Sequence, residues 1–219
     1  MIKRAKNYLK YIIILKKNLK LNKRFGLTGT ILKSNGTDKF LDCTFECSGS
    51  NNVIELMGNV NIAGCSFFIA GSNNHIIIGE GSFIGSATFW VEDDNNLIKI
   101  GSRTSVNSNN NFTCTEGHKL IIGDNCLFSL DVNFQVGDGH AIYDTSGTRI
   151  NHTEDIIIGN HVWIGKRASV LKGASVPDGC IIGTGAIVTK KFTAENSIIA
   201  GVPAKVVKED ITWKKDRNG

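Results

Sequence analysis

The chain has 219 residues, of which 41% are hydrophobic and 21% are charged, so we expect a folded core rather than disorder. The formal net charge is +5, but residues 1–24 hold nine Lys and Arg and no acidic residue, whereas residues 25–219 hold 16 basic and 20 acidic residues. The basic excess therefore belongs to a short N-terminal arm, which argues against a nucleic-acid-binding body.

Residues 1–24 intersperse apolar residues among the lysines in a way that predicts an amphipathic helix with a basic face. Such a helix could cap the body or make a weak peripheral contact with an anionic membrane surface. No apolar run approaches the roughly 20 residues that cross a bilayer, and no cleavage-site pattern follows a long apolar segment. We expect a cytoplasmic protein, lying at the inner membrane if the arm binds lipid.

From residue 40 onward, apolar residues recur at fixed spacing. Within one unit the steps are six, six and ten, as in Ile78, Ile84, Trp90 and Ile100. From Ile158 to Val188 the step is six throughout. Neither the helical period of 3.6 nor the strand period of 2 explains this spacing. It predicts an all-β prism in which each coil places one short strand on each of three faces, with one apolar side chain per face pointing inward.

Asparagine pairs recur every 22 residues, at 51–52, 73–74 and 95–96. Stacked at one corner of the prism, they are expected to form a hydrogen-bonded ladder, and asparagine also tolerates the left-handed backbone region. His118 follows in the next coil and is expected to continue the ladder. Trp90 falls on an inward position or a corner and is expected to be structural. The prism domain would span residues 25–207, followed by a small C-terminal tail helix within 208–219.

The spacing fails between Phe134 and Ile158, which are 24 residues apart where the rhythm predicts 10. The excess must leave the prism as a loop, residues 135–157, and loops of this length in compact domains tend to be functional. His140 stands inside it, in the stretch "QVGDGHAIYD". Because His140 lies in the one large departure from the repeat, it is a candidate functional residue.

The stretches "GHAIYD", "RIN" and "IIIGNHVWIG", set in this repeat, resemble the hexapeptide-repeat acyltransferases, in particular their capsule and lipopolysaccharide O-acetyltransferase branch. The resemblance covers about residues 40–207. It implies a left-handed parallel β-helix, acetyl-CoA as co-substrate, a carbohydrate acceptor, and a homotrimer with active sites between subunits. Matched residue by residue, His140 is the general base and Trp163 is the active-site tryptophan.

The segments "GTGAIVTKKF" and "AGVPAKVV" resemble the acyl-CoA-binding end of the family. The expected cofactor-binding residues are Trp163, Gly165, Lys166, Gly183, Gly185, Ala186, Lys190, Pro203 and Lys205. Backbone N–H groups of Gly183 and Gly185 and the ammonium groups of the lysines, Lys191 included, are of the types that bind the phosphates of coenzyme A.

The remaining candidates surround the base. Asp138 or Asp144 could orient the imidazole, as carboxylates do in catalytic triads, and the Trp163 indole or a backbone N–H could stabilise the oxyanion. Candidate substrate contacts are Tyr143, Arg149 and His161, although Arg149 is equally well explained as a solvated loop residue. No metal is expected, because no His or Cys spacing suggests one, and the six cysteines without CxxC pairs are typical of reduced thiols.

Transfer of an acetyl group to a sugar of a bacterial surface polysaccharide, or to its precursor, is the favoured function. One alternative is acetylation of a small free sugar or an antibiotic. Another is a non-catalytic β-helix scaffold, in which His140 would be dispensable. An antifreeze-type or binding β-helix would carry flat Thr or Asn arrays on an exposed face.

Overall fold

The computed structural model describes residues 26–216, and these form a three-sided solenoid of stacked coils. Twenty-three strands follow one another in this part of the chain. They are β1 (Thr30–Lys33), β2 (Lys39–Leu41), β3 (Thr44–Ser48), β4 (Asn52–Leu56), β5 (Asn61–Ala63), β6 (Ser66–Ala70), β7 (His75–Ile78), β8 (Phe83–Gly85), β9 (Thr88–Glu92), β10 (Leu97–Ile100), β11 (Ser105–Val106), β12 (Asn111–Cys114), β13 (Lys119–Ile122), β14 (Leu127–Phe128), β15 (Asn133–Gln135), β16 (Ile156–Ile158), β17 (Trp163–Ile164), β18 (Ser169–Leu171), β19 (Ser175–Val176), β20 (Ile181–Ile182), β21 (Ile187–Val188), β22 (Ile198–Gly201) and β23 (Ala204–Lys208).

Each coil contributes one strand to each of three sheets, named here in chain order. The first face is β1-β4-β7-β10-β13-β16-β19, the second face is β2-β5-β8-β11-β14-β17-β20-β22-β23, and the third face is β3-β6-β9-β12-β15-β18-β21. Neighbouring strands are parallel except for the final antiparallel pair, β22 with β23. The predicted all-β prism is confirmed. In residues 26–216, no helix is long and apolar enough to cross a membrane.

The core is a set of columns in which inward side chains stack directly on those of the next coil. On the third face the column is aromatic, and its rings stack at centroid distances of 4.7 to 5.3 Å. The members are Phe45, Phe67, Phe89, Phe112 and Phe134. Because strands in a sheet lie about 4.8 Å apart, like residues at like positions can stack in this way, and each buried ring contributes roughly 1.5–3 kcal/mol.

The predicted inward position of Trp90 is wrong. Phe89 is the fully buried residue of β9, and Trp90 points outward with 41% of its surface exposed. The reason is the length of the corner between the second and third faces. Phe89 lies five positions after Ile84, whereas one coil later Phe112 lies six positions after Val106. One residue fewer in the corner reverses which side chain of the strand faces the core.

The asparagine ladder is confirmed at the corner between the third and first faces. Asn52, Asn74 and Asn96 are buried, and each N–H of the later coils donates to the side-chain oxygen of the asparagine below, at 3.0 and 2.9 Å. The preceding asparagines adopt positive φ angles of 56° to 63°. His118 continues the ladder through its backbone N–H, which donates to Asn96 Oδ1 at 3.2 Å.

The two predicted terminal helices have different outcomes. The predicted N-terminal helix, residues 1–24, lies outside the described residues. The predicted C-terminal helix is wrong for the part of the tail that the structure describes, because residues 209–216 are not helical. Instead the tail folds back on the prism, with the Trp213 side chain buried against it. All six cysteines are buried thiols.

Candidate active site

The loop that carries His140 leaves the third face after Gln135 and rejoins the first face at Ile156. Its tip is a short hairpin-like turn closed by an antiparallel bridge between Tyr143 and Arg149. The turn is held by Asp144, whose carboxylate accepts hydrogen bonds from the Ser146 hydroxyl at 2.6 Å and from the N–H groups of Ser146 and Thr148 at 2.9 Å. These bonds, the Ser146 hydroxyl first, lower the pKa of Asp144. The Asp144 carboxylate is therefore committed to its own turn.

Asn151 is the centre of the loop, and sequence reasoning did not single it out. Its side chain is 7% exposed. Nδ2 donates to the His140 carbonyl at 2.7 Å and to Asp138 Oδ2 at 2.9 Å, while Oδ1 accepts from the N–H of Ile142 at 2.6 Å. One buried amide thus holds the backbone from His140 to Ile142 and the side chain of Asp138, while His140 itself is exposed. No local pattern marks a loop asparagine as buried, so the only available signal was its place in "RIN".

Asp138 ties the loop to the prism. Besides Asn151, its carboxylate accepts a hydrogen bond from Lys172 Nζ at 2.5 Å, and Lys172 follows β18 in the next coil. The Lys172 bond, and after it the Asn151 bond, lowers the pKa of Asp138. Among the residues that the structure describes, neither Asp138 nor Asp144 hydrogen-bonds to the His140 imidazole. Their base-orienting role therefore stays a prediction.

Arg149 anchors the other limb of the loop to the coil below. Its Nη2 donates to Glu116 Oε1 at 2.7 Å, and the Thr153 hydroxyl donates to Glu116 Oε2 at 2.8 Å. The Arg149 bond is the main cause that lowers the pKa of Glu116. The structure therefore gives Arg149 an anchoring contact; its proposed contact with substrate stays a prediction. Tyr143 is 60% exposed at the loop tip and is free to meet another molecule.

Trp163 lies on β17 of the second face, with its side chain outward and 37% exposed. The tail tryptophan, Trp213, packs beside it at 6.0 Å between ring centroids and stacks on His161 at 4.1 Å. Trp213 Nε1 donates to the His161 carbonyl at 2.9 Å, and His161 Nε2 lies 3.0 Å from the Trp213 carbonyl. His161 thus contacts the tail, a contact that the sequence did not predict; its role in binding substrate stays untested.

The N–H groups of Gly183 and Gly185, the predicted backbone donors for coenzyme A phosphates, bond to carbonyls within the prism, and their role in binding coenzyme A stays a prediction. Gly183 donates to Ile199 at 2.8 Å and Gly185 to Lys166 at 2.8 Å. Gly183 is also needed for close stacking, since a Cβ there would lie 2.9 Å from Ala200 Cβ. Gly165 serves the same purpose: its N–H donates to Ile182 at 2.7 Å, and a Cβ would lie 2.6 Å from the Thr184 nitrogen.

Ala186 is fully buried and both of its backbone groups are hydrogen-bonded within the prism, and its predicted contact with the cofactor stays a prediction. The other expected cofactor residues of the last coils reach solvent. Lys190, Pro203 and Lys205 are exposed, and Lys190 places its ammonium 5.3 Å from the centre of the Phe192 ring. Lys166 is half-exposed at 4.0 Å from Asp131. The three lysines provide exposed or half-exposed cations on one end of the prism.

His140 and Trp163 occupy opposite sides of one chain. The loop stands at the edge where the third and first faces meet, and its anchors, Glu116 and Lys172, lie at that edge too. Trp163 projects from the second face, which lies across the triangular cross-section from that edge. One chain therefore does not bring the two predicted catalytic residues together.

Comparisons with known proteins agree with this fold. A family described as the hexapeptide repeat of succinyl-transferase matches residues 155–190. A polysialic acid O-acetyltransferase of Neisseria meningitidis is 37% identical over 68 residues, which are 31% of this chain and 32% of that protein. A putative lipopolysaccharide biosynthesis O-acetyl transferase, WbbJ, of Escherichia coli K12 is 38% identical over 64 residues, 27% of this chain and 32% of that protein.

These two alignments span about a third of each relative. A solved structure extends the likeness: the polysialic acid O-acetyltransferase OatWY is 28% identical and superposes with a TM-score of 0.83 over 89% of this chain and 90% of that one. In its repeat the chain is similar to the hexapeptide-repeat family over residues 155–190, and in its fold it is similar to a polysialic acid O-acetyltransferase, so that its prism matches a left-handed parallel β-helix.

Proposed function

We propose that the protein transfers an acetyl group from acetyl-CoA to a sugar hydroxyl of a bacterial surface polysaccharide, capsule or O-antigen, or of its precursor. The observation that carries the proposal is the likeness to a polysialic acid O-acetyltransferase along nine-tenths of both chains. The sequence relatives are named as polysialic acid and lipopolysaccharide O-acetyltransferases. Because the donor is acetyl-CoA, the reaction belongs in the cytoplasm.

The chemistry needs a base, because a sugar hydroxyl is a poor nucleophile at neutral pH. His140 removes the proton as the hydroxyl oxygen attacks the thioester carbonyl carbon, and a tetrahedral oxyanion forms. The indole N–H of Trp163 or a backbone N–H donates to that oxyanion. When the C–S bond breaks, the imidazolium returns its proton to the departing thiolate sulfur. General base catalysis of this kind contributes roughly 10²–10⁴-fold in rate.

Two or more chains build each site in this proposal. His140 and Trp163 lie on opposite sides of one prism, so the His140 loop of one subunit must reach the second face of another. The exposed apolar side chains of the loop, Ile142, Tyr143 and Ile150, suit such a contact. A closed homotrimer satisfies this head-to-tail arrangement for all subunits.

The test is thiol release from acetyl-CoA with a panel of bacterial polysaccharides and sugars, for the wild type and His140→Ala. His152→Ala is the matched control, because His152 is an exposed histidine of the same loop. We expect acceptor-dependent release that falls at least about 100-fold in His140→Ala and stays unchanged in His152→Ala. Equal release by the wild type and His140→Ala would remove His140 from the mechanism. Failure of the wild type to bind coenzyme A in calorimetry would favour the scaffold alternative.

A further inference from the structure

The third face exposes an aromatic pair below the strand that leads into the His140 loop. Trp90 is 41% exposed and stacks on Phe68 of the preceding coil, with ring centroids 4.2 Å apart and planes 23° apart. Both rings point outward, because the buried residues of these two strands are Phe67 and Phe89. A large exposed aromatic surface in an otherwise polar face is costly to keep in water and marks a binding site more often than a single exposed leucine would.

Groups that form hydrogen bonds surround this pair. The strand register places one outward residue of each coil in a column beside the aromatic rings, and all but the last of the members are hydroxyl or amide residues. In coil order they are Thr44, Ser66, Thr88, Asn111, Asn133, Ser169 and Ile187. A shallow cleft of about 290 Å³ opens between this column and the rings of Phe68 and Trp90. This is the flat array of Thr and Asn expected of a binding β-helix.

A sugar ring offers one apolar face of C–H groups and a rim of hydroxyls. The apolar face suits stacking on an aromatic ring, and the rim suits a row of hydroxyls and amides that can donate and accept. A repeating surface with the spacing of the coils also suits a repeating ligand better than a single small molecule. The arrangement of this face therefore favours a glycan chain.

The charge of the third face favours an uncharged glycan over an acidic one. The seven strands of the third face contain no Lys or Arg, and Glu46 precedes Phe68 in the outward column. Residues 26–216 together hold 15 basic and 20 acidic residues, a formal net charge of −5. A polyanionic chain would be repelled by such a surface, whereas an uncharged chain would not.

The aromatic pair is continuous with the His140 loop. Phe68, Trp90, Thr113 and Gln135 occupy one outward column in successive coils. The chain leaves the prism directly after Gln135 to form the loop. With strands about 4.8 Å apart, Trp90 lies roughly 10 Å from Gln135, a span that a short oligosaccharide bridges.

We propose that Trp90 and Phe68 form a platform that binds an uncharged polysaccharide chain along the third face and leads it to the foot of the His140 loop. The acceptor is then a polymer or a long oligosaccharide and not a free sugar. The link to the loop rests on the proposed acetyl transfer, but the binding itself does not.

Binding is measured first, by retardation in native gels containing dextran, mannan or galactan, with polysialic acid as the acidic comparison. The full-length proteins are the wild type, Trp90→Ala, Trp90→Phe and Phe83→Ala. Phe83 is the matched control, an aromatic residue that is 44% exposed on the second face. We expect a neutral polymer to retard the wild type, Trp90→Ala to weaken binding about tenfold, and the other two variants to bind almost normally. Light scattering reports the oligomeric state of each.

Retardation by none of the neutral polymers, retardation by polysialic acid alone, or equal retardation of Trp90→Ala would overturn the platform. A smaller oligomer for Trp90→Ala would do so too, since it would show that the patch is a subunit contact. The same gels with His140→Ala separate the two proposals. If the wild type binds polymer but transfers no acetyl group, the platform proposal stands and the proposed acetyltransferase activity fails. If acetyl transfer occurs and the KM for polymer is unchanged in Trp90→Ala, the activity stands and the platform proposal fails.

Discussion

The edge between the third and first faces is built in two ways. In the lower coils it is a ladder of neutral amides, Asn52, Asn74 and Asn96, each hydrogen-bonded to the next. At the His140 loop the same edge is held by charged groups, chiefly Lys172 with Asp138 and Arg149 with Glu116. Identical amides satisfy one another only when every coil turns the corner alike. Once the loop is inserted, its polar groups need partners of other kinds.

This fold accommodates its insertion at the corner where the asparagine ladder ends. The ladder ends at His118, the last residue whose backbone bonds to it, and the loop begins in the same coil. His118 already belongs to the second arrangement, because its Nδ1 lies 2.8 Å from Asp155 Oδ1 at the end of the loop. The corner that takes the long insertion thus carries the candidate base, whereas the corner between the second and third faces changes by only one residue between coils.

The largest effect is expected from Asn151→Ala. Without this buried amide the His140 carbonyl and the Ile142 N–H lose their hydrogen bonds, and misplacement of a catalytic group by about 1 Å can cost roughly 100-fold in rate. We expect kcat for acetyl transfer to fall by about that factor while coenzyme A binding is retained. Ser146→Ala, which affects only the exposed turn, should leave kcat unchanged. A normal kcat for Asn151→Ala would show that the loop does not need this anchor.

A smaller effect is expected from Asn74→Ala in the ladder. This substitution leaves the N–H of Asn96 without its acceptor and the Asp93 carbonyl without one donor, in a buried corner. Leaving buried groups unpaired costs about 1–3 kcal/mol, so the free energy of unfolding should fall by about 2 kcal/mol in urea. Asn61→Ala, on the exposed second face, is the control and should change little. An unchanged urea midpoint for Asn74→Ala would deny the ladder a role in stability.

The smallest effect is a pH dependence confined to the loop. Hydrogen bonds from Lys172 and Arg149 lower the pKa values of Asp138 and Glu116 below their ordinary range. Groups whose pKa is lowered on folding stabilise fully above the unfolded values, about 3.9 and 4.3, and lose that stabilisation as the pH falls through the folded values. Hydrogen exchange in residues 136–155 should therefore rise as the pH falls below about 4, after correction for intrinsic rates. The neutral ladder should keep its protection.

Lys172→Met tests whether this ion pair sets the pH dependence of the loop, because Asp138 then loses the main cause of its lowered pKa. The loop should lose protection at a higher pH in this variant than in the wild type. A uniform loss of protection over ladder and loop would mean that the charged anchors are not what distinguishes the two arrangements.

Much of the fold followed from the periodicity. The residues at steps of six, the asparagine pairs and the 14 surplus residues before Ile158 predicted the prism, the ladder and the loop, because each depends on local repetition. The sequence predicted only some of the residues of the candidate site. His140 was conspicuous because it stands where the repeat fails, whereas Asn151 and Trp213 act through partners 9 to 52 residues away.

The sequence alone determined that an apolar residue points inward on each face and that the chain departs from the prism between residues 135 and 156. Only the tertiary structure decided which of two adjacent aromatic residues, Phe89 or Trp90, is buried, since both satisfy the apolar pattern and one residue in a corner reverses the choice. It also decided that His140 and Trp163 face opposite sides, because the distance between two residues around a closed prism depends on the faces they occupy and not on their separation along the chain.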